Sequence, residues 1–400
     1  VSRCLSFFSF AAISLCGLVS LPSPSQSQAD YFAEKIPRRL ALVIGNFDYT
    51  NLTDLPGVKA DLESMTASFK ALGFDEVVTV PNVPTWDDFQ YNVLKPFKAK
   101  VQRDDLVVVY FSGHGFSYAG YQYFAPTEMK KTISAGKVAY TAIPVETLPE
   151  VFHDEGAGAA LIIVDACRTI GDFIVQDRAG NAVSKGPNDG GRKSLSTNYI
   201  LALSVGSGLP SQASLDPTKM SVYTHALSSL IGAEADKDFR DWHDDVEYEV
   251  SDQTNDAQVP GLHEFTMTDI VLRMSDDWRV GEKRRWEAVV TSNDYAKVKK
   301  FARKYTLNPY IEDARRWLSD HEEAASLNRT SVSPVGIDFA WNAEAKVEGI
   351  SSVINFPQEV NYQQYVGEQS ASLSTYGVRL DDGAVNPTPQ QLEQWAKYVA

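Results

Sequence analysis

Two short stretches hold side chains that could do covalent chemistry together. The first is Leu161-Ile-Ile-Val-Asp-Ala-Cys-Arg168. Its four apolar residues read as a strand buried on both faces. The run ends in Asp165, Cys167 and Arg168. In an open parallel sheet reactive groups gather at the carboxyl ends of the strands. A thiol set there between a carboxylate and a guanidinium is a candidate nucleophile, although the same octapeptide also suits a buried structural cysteine. The second stretch is Leu106-Val-Val-Val-Tyr-Phe-Ser-Gly-His-Gly115, again an apolar strand closing on a reactive group. Glycines flank His114, so the backbone can turn sharply and a substrate can come close. A thiol near pKa 8.5 is mostly protonated at neutral pH and reacts as its thiolate. An imidazole beside it could take that proton and later hand it to a leaving amine.

The elements around these stretches alternate. Leu40 to Gly45 is expected to be a strand, Val58 to Leu72 a helix with apolar residues at Leu62, Met65, Phe69 and Leu72, and Glu76 to Val80 a second strand. Trp86 to Lys100 reads as a helix with a break at Pro96, and Tyr199 to Val205 as a further strand. The pattern implies an α/β fold, a mostly parallel sheet flanked by helices. Thr169 to Ser196 is a glycine-rich polar loop, longer than a compact domain usually keeps without a purpose. Ser221 to Leu230 is expected to be a helix. In Glu234 to Asp256, Phe239, Trp242, Val246 and Val250 recur at helical spacing, which gives an amphipathic helix with an acidic solvated face. Gly281 to Leu327 reads as one helical hairpin joined near Asn308-Pro309, a small helical accessory region. Residues 328–400 form a polar accessory region of unknown fold.

Composition sets the outer bounds. The chain has 400 residues, enough for two or three domains, and a net charge of −15. That acidity argues against nonspecific nucleic-acid binding and leaves room for basic substrates. Residues 1–29 look like a secretory signal: Arg3 precedes an apolar run from Leu5 to Leu21, and small residues stand at Ser27 and Ala29. An uncleaved anchor is the other reading. Two of the three cysteines, Cys4 and Cys16, lie in that segment. The mature chain then keeps only Cys167, so neither an intramolecular disulfide nor a cysteine zinc cluster can form. The expected location is exported, periplasmic or secreted, with no stable membrane span after signal removal.

The sequence resembles the caspase-like cysteine peptidases, closest to the bacterial members and the metacaspases. His114 precedes Cys167 by 53 residues, and caspases place their histidine about 50 residues before the cysteine. Arg39-Leu-Ala-Leu-Val-Ile-Gly-Asn46, with Tyr49, Leu55, Gly57, Ala60-Asp61 and Leu72-Gly73-Phe74, is similar to the family's first strand, loop and helix. Tyr121-Gln-Tyr-Phe-Ala-Pro126 is similar to the strand after the histidine loop. Asn198 to Leu230 and Asp244 to Pro260 are similar to the small-subunit portion. The resemblance covers residues 38–275: a large-subunit-like part over 38–175, a linker over 176–197 and a small-subunit-like part over 198–275.

The resemblance implies a cysteine endopeptidase with Cys167 as nucleophile and His114 as general base. The oxyanion donors would be the backbone N–H groups of Gly115 and Cys167. Tyr110 or a nearby carbonyl is available to orient the imidazole. Caspases carry glutamine where Asp165 stands, and metacaspases carry aspartate and cleave after Arg or Lys. Asp165 is thus the expected acid of the substrate pocket, and Asp216, in Gln212-Ala-Ser-Leu-Asp216, a second pocket acid. The other reading of Asp165 is that it only caps a turn or pairs with Arg168. The expected partners are protein or peptide substrates with basic residues. The loop after Cys167 offers Arg178, Lys185, Arg192 and Lys193 for self-cleavage. No cofactor is expected, though metacaspases often need calcium and the acidic 234–256 stretch could supply a site; no EF-hand loop is present. Thr169 stands where caspases have glycine, and Glu128 where the family commonly has aspartate, which places the chain on a divergent bacterial branch. The alternative function is a catalytically idle scaffold on the same fold; its usual mark, loss of the histidine or the cysteine, is absent from the sequence.

Overall fold

The computed structural model describes residues 31–166, 173–177, 179, 181–182, 198–206, 211 and 213–322, and the backbone of three strands within 351–371. The chain divides into two units, residues 1–320 and 321–400.

The first unit is built on β1 (Arg39–Gly45), α1 (Val58–Ala71), β2 (Glu76–Pro81), α2 (Trp86–Asp88), a π-helical segment (Phe89–Leu94) and α3 (Lys95–Lys98). The break expected at Pro96 is absorbed without ending the helix. Proline has no N–H to give, and the wider π turn just before it accommodates that loss. There follow β3 (Leu106–Ser112), a hairpin of β4 (Gly115–Tyr118) and β5 (Tyr121–Phe124), β6 (Thr132–Ser134), β7 (Ile143–Pro144), α4 (Leu148–Asp154), β8 (Ala159–Asp165) and β9 (Ile174–Gln176). The small-subunit-like part supplies β10 (Tyr199–Leu203), α5 (Val222–Glu234), α6 (Phe239–Thr254) and β11 (Gly261–Glu264).

The main sheet has six strands in the order β11-β10-β8-β3-β1-β2, all parallel except β11. All seven residues of β3 and of β8 are buried, as continuous apolar runs in a doubly covered parallel sheet must be. Alternate residues feed two cores. Val108, Tyr110, Leu161 and Ile163 pack under α1, α5 and α6, while Val109, Phe111, Ile162 and Val164 pack under the π segment and α4. The acidic helix forms as α6, with Phe239, Trp242, Val246 and Val250 inward. A third cluster holds Tyr49, Leu55, Phe116, Tyr123 and Phe173 around the β4–β5 hairpin.

The accessory helices differ from the expected single hairpin. There are three: α7 (Asp276–Val290), α8 (Tyr295–Lys304) and α9 (Ile311–Asp320). The extra break is made by Asn293, which takes a positive φ of 50°, and by Asp294, whose side chain caps α8. These helices pack around Trp286, Val298, Phe301 and Trp317 together with Tyr31. Trp286 Nε1 donates to the Tyr31 carbonyl at 2.8 Å, and Ala33 N–H donates to Asp313 at 2.7 Å. In the second unit, β12 (Ser351–Asn355), β13 (Glu359–Val366) and β14 (Gln369–Ala371) form an antiparallel sheet.

Candidate active site

The two strands that carry the reactive stretches are neighbours. β3 and β8 run in parallel register from Leu106 opposite Ala159 to Ser112 opposite Asp165. The pairing closes with Gly113 N–H donating to the Asp165 carbonyl at 3.2 Å. His114 stands two residues past the last paired residue of β3. Cys167, two residues past the last of β8, lies outside the described residues, as do Arg168, the proposed cleavage residues Arg178, Lys185, Arg192 and Lys193, and the signal-like 1–29 segment.

His114 is only 7% exposed and is fixed from three sides. Its backbone N–H donates to the Tyr49 hydroxyl at 2.8 Å. The Tyr49 ring meets the imidazole edge-on at 4.7 Å, and Phe173 stands against it at 6.4 Å. Imidazole Nε2 lies 2.8 Å from the carbonyl oxygen of Thr53. A carbonyl only accepts, so Nε2 carries the proton of the neutral ring and Nδ1 is left as the basic nitrogen. The orienting group is therefore a backbone carbonyl. Tyr110, the other candidate, points into the opposite core and bonds Thr224. The loop holding Thr53 is itself tied down: Asp54 accepts the Tyr49 N–H at 2.8 Å, and Leu55 N–H donates to the Phe47 carbonyl. Only glycine fits at 113. Its φ is 153°, and a Cβ there would sit 2.8 Å from the Tyr49 hydroxyl and 3.1 Å from the Asn46 carbonyl. Gly115 begins β4, buried, opposite Phe124.

Beneath the strand ends lies a buried pair of carboxylates. Asp165 is 4% exposed. It accepts from Ser221 Oγ, from Thr224 Oγ1 at 2.9 Å and from Ser211 Oγ at 3.1 Å. The second acid is Asp61 on α1, 1% exposed. It accepts from Ser112 Oγ and from the Ser221 backbone N–H, each at 2.8 Å. Ser221 thus touches both acids, and it also caps α5 through the Thr224 N–H. Burial, and then the facing Asp165 charge, push the Asp61 pKa up to about 7. Burial likewise raises Asp165, against the pull of its hydroxyl partners. The pair favours holding a proton between them when no cation is near. The loop running from Ser211 to Ser221 is pinned to α1 by Gly57 N–H donating to the Ser214 carbonyl at 3.1 Å. A Cβ at Gly57 would come within 2.4 Å of that oxygen.

Asp216 sits on the same loop with its side chain 43% exposed. It accepts from the Thr218 N–H and hydroxyl and pairs with Lys219 at 3.6 Å, contacts that hold its carboxyl below the ordinary range. The acid that shares Asp165's surroundings is Asp61. Among the described residues, no group of three or more His, Cys, Asp or Glu side chains is arranged to hold a metal ion.

The chain matches the family model of the caspase domain, peptidase C14, over residues 38–272 and belongs to that family of cysteine peptidases. Among solved structures it is similar to caspase-1 from Spodoptera frugiperda, with 19% sequence identity, a TM-score of 0.43, and coverage of 60% of this chain and 92% of that one. Among curated proteins no sequence matches.

Proposed function

We propose that this chain is a cysteine endopeptidase in which Cys167 is the nucleophile and His114 the general base, and that it cleaves after Arg or Lys. The observation that carries the reading is the seating of His114. It stands at the carboxyl end of β3, beside the strand that leads into Cys167, with Nε2 committed to the Thr53 carbonyl. His114 Nδ1 takes the proton of the Cys167 thiol, and sulfur attacks the scissile carbonyl. The C–N bond then breaks as the same proton passes to the leaving amine. Water, deprotonated by His114, hydrolyses the thioester. The backbone N–H groups of Gly115 and Cys167 are the assigned oxyanion donors.

The buried acids support a basic substrate residue. A guanidinium or ammonium brought to Asp165 and Asp61 would let both ionise, whereas an acidic side chain would meet two carboxylates. Asp216, half-exposed on the same loop, is the proposed second acid of the pocket. Self-cleavage within 169–196 follows from the same preference, because that loop carries four basic residues. Export, through the signal-like segment 1–29, supplies the setting, and no described helix is long and apolar enough to cross a membrane.

The test is hydrolysis of fluorogenic peptides bearing Arg, Lys or Asp at the cleaved position, with and without calcium. Cleavage after Arg and Lys is expected, abolished in Cys167→Ala and weakened in Asp165→Asn. Cleavage after Asp would overturn the pocket. No cleavage, even after the 169–196 loop is cut deliberately, would leave the idle scaffold.

A further inference from the structure

The helices α7–α9 sit at the amino-terminal end of the sheet, away from His114. Thr306 on their connection donates to the Gly158 carbonyl just before β8, and Arg315 pairs with Asp104 just before β3. Within this unit α8 has an unusual composition for so acidic a chain. Five of its ten residues are basic, Lys297, Lys299, Lys300, Arg303 and Lys304, and none is acidic. Lys297 pairs with Asp294 at 3.8 Å, and Lys304 lies over the Tyr305 ring. Lys299, Lys300 and Arg303 are exposed and have no ion pair among the described residues. The opposite face of α8, Val298 and Phe301, is consumed in the unit's own core. What α8 offers outward is charge without an apolar groove, which suits a diffuse anionic surface better than a peptide.

A second observation bears on which anionic surface is near. Tyr31 belongs to the same small core as Val298 and Phe301 and is hydrogen-bonded to Trp286. In the sequence, only the short stretch Pro22 to Asp30 separates Tyr31 from the apolar run Leu5 to Leu21. Such a stretch, fully extended at about 3.3–3.6 Å per residue, reaches roughly 30 Å. Under the uncleaved-anchor reading of that run, the bilayer lies within that distance of the unit carrying α8. We propose that the basic face of α8 docks on an anionic phospholipid bilayer by charge alone, lying on the surface without inserting. The catalytic end of the sheet then faces away from the membrane.

The experiment is vesicle sedimentation of the full chain carrying Cys167→Ala, which prevents self-cleavage. Vesicles of phosphatidylcholine alone are compared with vesicles containing phosphatidylglycerol, at low and high salt. The proposal predicts stronger binding to the anionic vesicles, weakened by salt. In the triple variant Lys299→Gln, Lys300→Gln, Arg303→Gln that gain should fall on the order of 100-fold. A control of equal charge, Lys59→Gln, Lys95→Gln, Lys130→Gln, should keep it, and melting curves check that each variant is folded. Equal binding to neutral and anionic vesicles would overturn the proposal, since the apolar run alone would then explain it. So would loss of the gain in the control as well as in the triple variant, or its survival in the triple variant. An acidic protein as the true partner would appear as no anionic-vesicle gain in any chain.

Discussion

Replacing Asp61 by asparagine should make the protein more stable at neutral pH and, under the proposed function, weaken cleavage after Arg and Lys. Asp61 is almost wholly buried, and its pKa is pushed up to about 7 by burial and by the facing Asp165. The folded state thus holds its proton more tightly than the unfolded chain does. The sign follows from linkage: stability from this group is fully present below the ordinary carboxylate pKa near 4 and is lost as pH rises towards 7. At about 1.36 kcal/mol per pH unit, a span of about three units amounts to roughly 4 kcal/mol. Asparagine keeps the shape and the acceptor for the Ser221 N–H, and its amide can donate to Ser112 Oγ. It carries no charge at any pH. The assay is thermal unfolding from acid to mildly alkaline pH, with Cys167→Ala in both chains. The melting temperatures of the two chains should lie close together in acid. They should separate on the order of 10 °C in favour of Asp61→Asn by pH 8, at roughly 2–4 °C per kcal/mol. His243 is fully buried with its pKa lowered to about 4 by desolvation, and adds an opposite slope on the acid side. It is common to both chains and drops out of the difference. Parallel pH profiles would refute the reasoning, because the buried pair would then not be sharing a proton.

Other expectations follow from single contacts. Tyr49→Phe strands the buried His114 N–H without its acceptor, which should cost about 1–3 kcal/mol of stability; it should also lower kcat more than it raises KM, and an unchanged kcat would count against the positioning role. Gly57→Ala drives a Cβ into the Ser214 carbonyl and should lift the Ser211–Ser221 loop from α1; a rise of about 10-fold or more in KM for basic peptides, read by steady-state kinetics, is expected. Trp286→Ala empties the core of the helical unit and should cost about 3–5 kcal/mol. Limited proteolysis should then open the segment 31–37, while peptide cleavage persists, because that unit sits at the far end of the sheet.

Much of the fold was legible because parallel strands covered on both faces have a strong signature. Leu106 to Tyr110 and Leu161 to Val164 read as continuous apolar runs, and each ends within two residues of the end of its strand, at Ser112 and Asp165. Their adjacency was not legible in the runs themselves, since the order β11-β10-β8-β3-β1-β2 is set by packing between distant segments. The orienting group of His114 was hidden for a different reason: a carbonyl at Thr53 leaves no mark on residue identity. Asp61 stands in the first turn of α1, where a carboxylate suits the helix dipole, so its position alone does not mark it as one of a buried pair. Only the arrival of Ser221, far along the chain, reveals it as part of a pair. Ser292-Asn293-Asp294 was a readable turn and cap signal inside the expected hairpin, outweighed there by the apolar spacing on either side.

The central claim is that Cys167 and His114 form a working pair that accepts a basic residue. Intact mass measurement after exposure to peptidyl chloromethyl ketones ending in Arg or Asp tests it most directly. The Arg reagent should add once, at Cys167, with no adduct in Cys167→Ala and labelling slowed about 100-fold or more in His114→Ala. Failure of the Arg reagent to add, or faster addition of the Asp reagent, would contradict the account.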